Sequence, residues 1–442
     1  MDSPSAQDPA PGGDHRSHGH SHAHGLPGGW QVWLRRPMLR GVLVAIAFAA
    51  VATMVGVVAM WPSGEGRRIA IENADDIGLV TDRLSATVEE IVDRRCSYAT
   101  DEDPQQCRAI TLIVHEGPEA GAIVSLPEIN LRDRSAPSLS IGDDVILGYE
   151  DSTNFYFYAD QDRRGTLLVL TIVFAGVVIA LGRFRGLLAL VGMAATLVVL
   201  VAFVAPSVLD GNDPLLVSVV AAAAIAFISL YLTHGFSPTT TVALAGTLAA
   251  LGLTLGLTWV FFEFASFTGL ATEEALILPF LAENLDVSGL LLGGAVIGAL
   301  GALDDVTVTQ VATVAELRHR NPDLSRTELV TSGIRVGREH IASTVNTLLL
   351  AYAGASMPLL LLFAVSNQSL EMVANSELIA VEIVRTLCGS IGLVAAVPIT
   401  TTLAAVIVSG SPGSPPSDEP IEPPPEEPPA ARWEDFSPDG LA

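Results

Sequence analysis

Three stretches of this chain place ionisable or amide side chains inside otherwise apolar sequence, and any chemistry must be sought there. A Gly-rich run through Gly293, Gly294, Gly298 and Gly301 ends at Leu303-Asp304-Asp305-Val306-Thr307. A second stretch carries Arg335, Arg338, Glu339 and His340 into apolar sequence, with Glu339, Ser343 and Asn346 at i, i+4 and i+7 and so on one helix face. A third has Glu382 and Arg385 at i and i+3, able to neutralise each other on one helix. Within a bilayer such groups are expensive, so each marks a functional site, a buried pair or a residue that snorkels to the interface. As sites, the carboxylates are reversible proton or cation holders. The structural alternatives are a solvated helix end for Asp305, helix–helix glue for Asn346 and a plain ion pair for Glu382 with Arg385. Short, Gly-interrupted spans that end in polar groups point to a transport pathway.

Other chemistries find less support. All of the 23 basic residues are arginine, so no lysine-based catalysis or P-loop exists, and the bias suggests a GC-rich bacterial genome. A net charge of −25 with no basic stripe argues against a nucleic-acid partner. No His-Glu-x-x-His, Gly-x-Ser-x-Gly or intramembrane Cys/His pair occurs, and no enzyme is expected. His15, His18, His20, His22 and His24 form a tract able to chelate a transition metal, similar to histidine-rich cytosolic segments of zinc transporters. A metal pathway would also need ligands in the spans, where only His234 and His340 lie near one, so no cofactor is expected beyond a weak chelating tail.

These residues must be held by membrane helices. The chain of 442 residues is 50% hydrophobic and only 16% charged, with a mean hydropathy of +0.48. A soluble domain carries about 25% charged residues. Runs long enough to span a bilayer fall at roughly 38–61, 166–182, 187–206, 214–232, 238–262, 287–303, 340–364 and 378–408, or about eight spans. Pro279, Glu283 and Asp286 leave open whether 275–303 crosses or re-enters. Arg35, Arg36, Arg40, Arg183, Arg185, Arg318, Arg320, Arg326, Arg335 and Arg338 all fall on one side. The positive-inside rule makes that side cytoplasmic. Both termini are then inside, in a bacterial cytoplasmic membrane. The sequence divides into a His-rich, disordered N-terminus (1–37), a first span (38–61), an extracytoplasmic insert (62–163), a membrane domain (164–408) with a cytoplasmic loop (304–338), and an acidic, Pro-rich tail (409–442) expected to be disordered. Ser325-x-x-Glu328 is a capping box that should open a helix after Asn321-Pro322. Short β-branched runs at 87–92, 110–115, 122–126, 145–149 and 155–158 predict a small OB-like barrel in the insert. Cys96 and Cys107, eleven positions apart outside the membrane, are a disulfide candidate, whereas Cys388 sits in a span.

The chain resembles the YibE/F-like membrane proteins of bacteria. The resemblance rests on Gly301-Ala302-Leu303-Asp304-Asp305-Val306, Glu316-Leu317, Asn321-Pro322, Ser332-Gly333-Ile334, Gly337-Arg338-Glu339-His340 and Asn346-Thr347-Leu348-Leu349-Leu350-Ala351-Tyr352. It implies a β-rich part and a membrane part, carried in that family on separate or fused chains and fused here, with Asp305 as the matching acid and Asp304 as an extra one. It implies no substrate beyond a supposed permease.

Two functions fit. In one, the chain is a permease for a small solute or ion, its pathway lined by Asp305, Glu339 and Asn346 with Glu382 and Arg385 nearby. In the other it is a non-transporting scaffold whose insert binds an envelope partner. A homo-oligomer is compatible with either.

Overall fold

The computed structural model describes residues 37–409 except 78, 80, 118, 135, 151–154, 283–284 and 366–367. The histidine tract and the acidic tail therefore lie outside the described residues. Helix α1 (Pro37–Ala59) leads through α2 (Glu65–Asp76) into six strands: β1 (Asp82–Arg95), β2 (Gln106–Val114), β3 (Ile123–Ser125), β4 (Ile129–Asn130), β5 (Asp144–Glu150) and β6 (Phe155–Gln161). The helical part follows as α3 (Arg164–Val199), a π-helical turn (Leu200–Val204), α4 (Ala205–Leu209), α5 (Pro214–His234), α6 (Pro238–Ala265) and α7 (Glu273–Leu281). It closes with α8 (Val287–Arg320), α9 (Arg326–Ala355), α10 (Met357–Val365), α11 (Leu370–Asn375) and α12 (Glu377–Ser409).

The strands pair antiparallel in the order β3-β2-β1-β5-β6, with β4 also on β2. Period-two alternation turns Leu84, Ala86 and Val88 of β1 and Ile110, Leu112 and Val114 of β2 to one core, which Val145 and Leu147 of β5 complete. The strands expected from the sequence are present. However, β3 and β6 are not paired among the described residues, so the sheet is open where a closed barrel was expected. Cys96 and Cys107 are joined in a disulfide next to the β1–β2 connection. Glu128 accepts from Ser97 N–H at 2.8 Å and ion-pairs with Arg94. These bonds, the Ser97 amide first, hold its carboxyl below the usual range.

Helix α2, unforeseen in the sequence, straps the chain ahead of the sheet onto α4 and α7. The Asp210 carboxylate accepts from Ser63 Oγ and N–H and from the amides of Gly64 and Gly66, capping the start of α2. Burial pushes the Asp210 carboxyl up, but these hydrogen bonds outweigh it and leave the group lowered. A Cβ at Gly66 would collide with the Leu209 carbonyl, so only glycine permits this approach. At the other end, Asn73 Nδ2 donates to Leu281 O at 3.1 Å.

Among the described residues six helices are long and apolar enough to cross a membrane, or seven if α9 and α10, bent by 62° to each other, form one span. The sequence reading of eight exceeds this by one because it divides the run 164–209 at Arg183. Arg183 is indeed non-helical, with φ 51° and ψ −131°, and a Cβ at Gly186 would strike the Val178 carbonyl, so the chain turns sharply there. The segment whose crossing was open resolves into short α7 and unbroken α8, which Asp286 caps through Gly289 N–H at 2.9 Å. Most of the expected loop 304–338 is also helix: α8 runs to Arg320, and Ser325 and Glu328 form a reciprocal capping box at the start of α9.

Helix α8 is central, packing on α5, α6, α9 and α12. Glycines set the spacing. Side chains at Gly246, Gly293 and Gly392 would clash with Thr400, Ser218 and Thr254 of the helices opposite. Buried Thr254 and Thr401 back-bond to Ala250 O and Val397 O, whereas Thr400 Oγ1 has no partner among the described residues. Thr247 and Thr307 share a hydrogen bond of 2.6 Å between α6 and α8.

Candidate functional site

Helix α8 buries Leu292, Val296, Leu303, Val306 and Val314 against its neighbours. One stripe remains open: Gly294, Gly298, Gly301 and Asp305 are exposed. A Cβ at Gly294 or Gly301 would meet nothing within 4 Å. Next to Gly301 this face borders a cavity of about 430 Å³. Its walls are Ala189, Gly192, Met193 and Thr196 of α3, Ser229, Thr233 and His234 of α5, and Asp304, Asp305, Val308 and Thr309 of α8. That volume suits a small solute or a hydrated ion.

Asp304 is the group that sets the chemistry. Ser229 Oγ donates to its Oδ2 at 3.0 Å, while its Oδ1 is buried without a partner among the described residues. An ionised carboxylate held this way is expensive unless a proton or cation joins it. Asp305, with a side chain 72% exposed, faces the mouth. His340 Nε2 of α9 lies 3.8 Å from its Oδ2, too far for a hydrogen bond but an ion pair when the imidazole is protonated.

The other expected site residues do not join this cavity. Arg338, Glu339, Ser343 and Asn346 are exposed on α9, turned away from the face that packs on the bundle. Glu382 and Arg385 pair with each other on α12 at 2.9 Å, and Arg385 Nε finds no partner among the described residues. Tyr352 of α9 stands beside the glycine face of α8, its hydroxyl 3.2 Å from where a Gly298 side chain would begin. Among the described residues no three of His, Cys, Asp and Glu converge as a metal site.

Sequence reasoning missed Ser229 and Gln310. Gln310 is buried and brackets three helices, its Nε2 donating to Gly333 O of α9 and Thr401 Oγ1 of α12, each at 2.7 Å. Gly333 and Gly337 leave it room: a Cβ there would stand 2.7 Å from Thr401 Cγ2 and 2.5 Å from Val397 Cγ1. Two of the glycines that carried the family resemblance are thus positions of close helix approach. A signal for Gln310 did exist, an amide in register with the Gly293–Val306 face, but a polar residue near a helix end reads equally well as solvated.

A multi-pass membrane protein with a carboxylate buried in a cavity among its helices is the class that fold and site define. Residues 170–410 match the model of the YibE/F-like protein family, more than half of the chain, and the chain belongs to that family. No curated protein and no solved structure matches it.

Proposed function

We propose that this chain is a permease for a small cationic solute or a proton-coupled ion, and that the Asp304 cavity is its binding site. The observation that supports the reading is the half-satisfied carboxylate of Asp304, which lines a solute-sized cavity that holds two acids. Anions are disfavoured there, and the absence of a three-ligand cluster among the described residues gives no support to a dedicated transition-metal site. In this reading Asp304 binds a proton or cation, Asp305 with His340 gathers it at the mouth, and the glycine face of α8 leads on toward Tyr352 and the Glu382–Arg385 pair. The membrane is the bacterial cytoplasmic membrane. The two arms around Arg183 cross separately, giving eight crossings, with both termini inside and the sheet outside. No covalent chemistry is assigned. Proteoliposome flux of small cations, with wild type against Asp304→Asn, tests this. Movement absent from a folded, inserted variant supports it, and unchanged movement refutes it.

A second reading, an envelope-binding factor, draws on one observation. Edge strand β6 exposes Phe155, its ring 6.2 Å from Phe157, beside a strand edge that is unpaired among the described residues. Removing residues 82–161 would abolish that function, whereas a permease would keep some flux.

A further inference from the structure

Helix α9 has two opposite faces. Leu329, Gly333 and Gly337 are buried, with Ile341, Val345 and Leu348 following on the same side against the bundle. On the other side Arg335, Glu339, Ser343 and Asn346, at i, i+4, i+8 and i+11, are all exposed. Among the described residues Arg335 and Glu339 make no ion pair and the Asn346 amide makes no hydrogen bond. His340 stands 3.8 Å from Asp305, which lines the cavity. Asn346 lies six residues further along, about 9 Å deeper on an α9 that crosses, at 1.5 Å per residue, and exposed Leu349 and Leu350 follow it one turn on. An amide at that depth is costly if it faces lipid alone.

We propose that this face of α9 is the interface of a homodimer, two copies meeting around a two-fold axis normal to the membrane. Three arguments fix the occupant. At that depth only another membrane-embedded segment can supply hydrogen bonds, and the terminal stretches 1–36 and 410–442 are too polar to enter hydrocarbon. The carboxamide is both donor and acceptor, so two Asn346 side chains satisfy each other across a two-fold axis. Arg335 and Glu339 stand one turn apart on the same face with opposite charge. In a parallel pair of α9 helices each Glu339 reaches the Arg335 of the other copy, as flanking charges do in parallel helix dimers. The proposal needs α9 to cross the membrane but does not depend on what, if anything, is transported.

The test uses full-length protein in its native membrane with Cys388→Ser, which leaves the Cys96–Cys107 disulfide as the remaining cysteines. Asn346→Cys or Glu339→Cys should crosslink on oxidation to twice the chain mass. Val345→Cys on the packed face and Leu168→Cys on the exposed outer arm of α3 should not. Wild type released into lipid nanodiscs should weigh as a dimer, and Asn346→Leu should weaken the pair about fivefold. Three results would each overturn the dimer: a monomeric wild type, a crosslink to a protein of another mass, or an Asn346→Cys variant that stays uncrosslinked and reacts with a water-soluble maleimide.

Discussion

Ser229 on α5 and Asp304 on α8 meet at 3.0 Å, and this single hydrogen bond is all that the buried carboxylate receives among the described residues. Its second oxygen is buried without a partner among the described residues, in a residue that lines the cavity. The bond orients the group while leaving it able to take a further partner, which a reversible site requires.

Removing that bond should therefore weaken the site without abolishing it. Ser229→Ala is expected to raise the apparent Kd or KM for the transported species about fivefold, near 1 kcal/mol, with normal insertion. Asp304→Asn should remove transport altogether. Equal loss from both, together with poor expression, would make the pair structural.

Glycines of α8 and α9 should respond differently. Gly301→Ala meets open space, so the protein should fold normally and lose transport only as the cavity narrows. Gly337→Ala meets Val397 Cγ1 at 2.5 Å and Gln310 Oε1 at 2.9 Å. It should cost about 1–3 kcal/mol of stability, read as a lower melting point and less monodisperse protein on size exclusion.

The Asp210 clamp predicts an acid-sensitive strap. Its folded pKa lies below the ordinary 3.8, so the stability it gives is fully present above 3.8 and is lost as pH falls through the lowered value. Hydrogen exchange at Gly64 and Gly66, corrected for intrinsic rates, should show protection that fades only below that pH. Asp210→Ala should remove the protection at every pH, whereas Asp210→Asn, which keeps an acceptor oxygen, should leave what protection remains independent of pH.

The disulfide closes a polar loop between β1 and β2. Cys96→Ser with Cys107→Ser should destabilise the sheet by about 3 kcal/mol, seen as faster proteolysis between residues 82 and 161 while the helical part stays resistant.

Much of the architecture was legible in the sequence. The apolar runs located the long helices, the β-branched runs located the strands, and the capping box at Ser325 and Glu328 opened α9 where expected. Periodicity also put Glu339, Ser343 and Asn346 on one face, and they do share one. What spacing cannot give is the direction of that face, because in a membrane the outside of a helix is as apolar as its packed side. The polar row therefore read as a cavity lining, although it points away from the bundle. Ser229 and Gln310 were hidden for a related reason. A lone hydroxyl or amide carries no periodic signal, and its worth depends on partners 75 and 23 positions away, Asp304 and Gly333. Helix α2 was lost because its docking depends on Asp210, far along the chain.

The measurement that bears most directly on the central claim is cation-driven flux in proteoliposomes, comparing wild type, Asp304→Asn and Glu382→Gln at matched insertion. The account predicts movement by wild type, none by Asp304→Asn, and at most a partial loss in Glu382→Gln. Wild-type flux in Asp304→Asn would contradict the assignment of the site, and no flux from any of the three across the whole cation panel would contradict the permease reading itself.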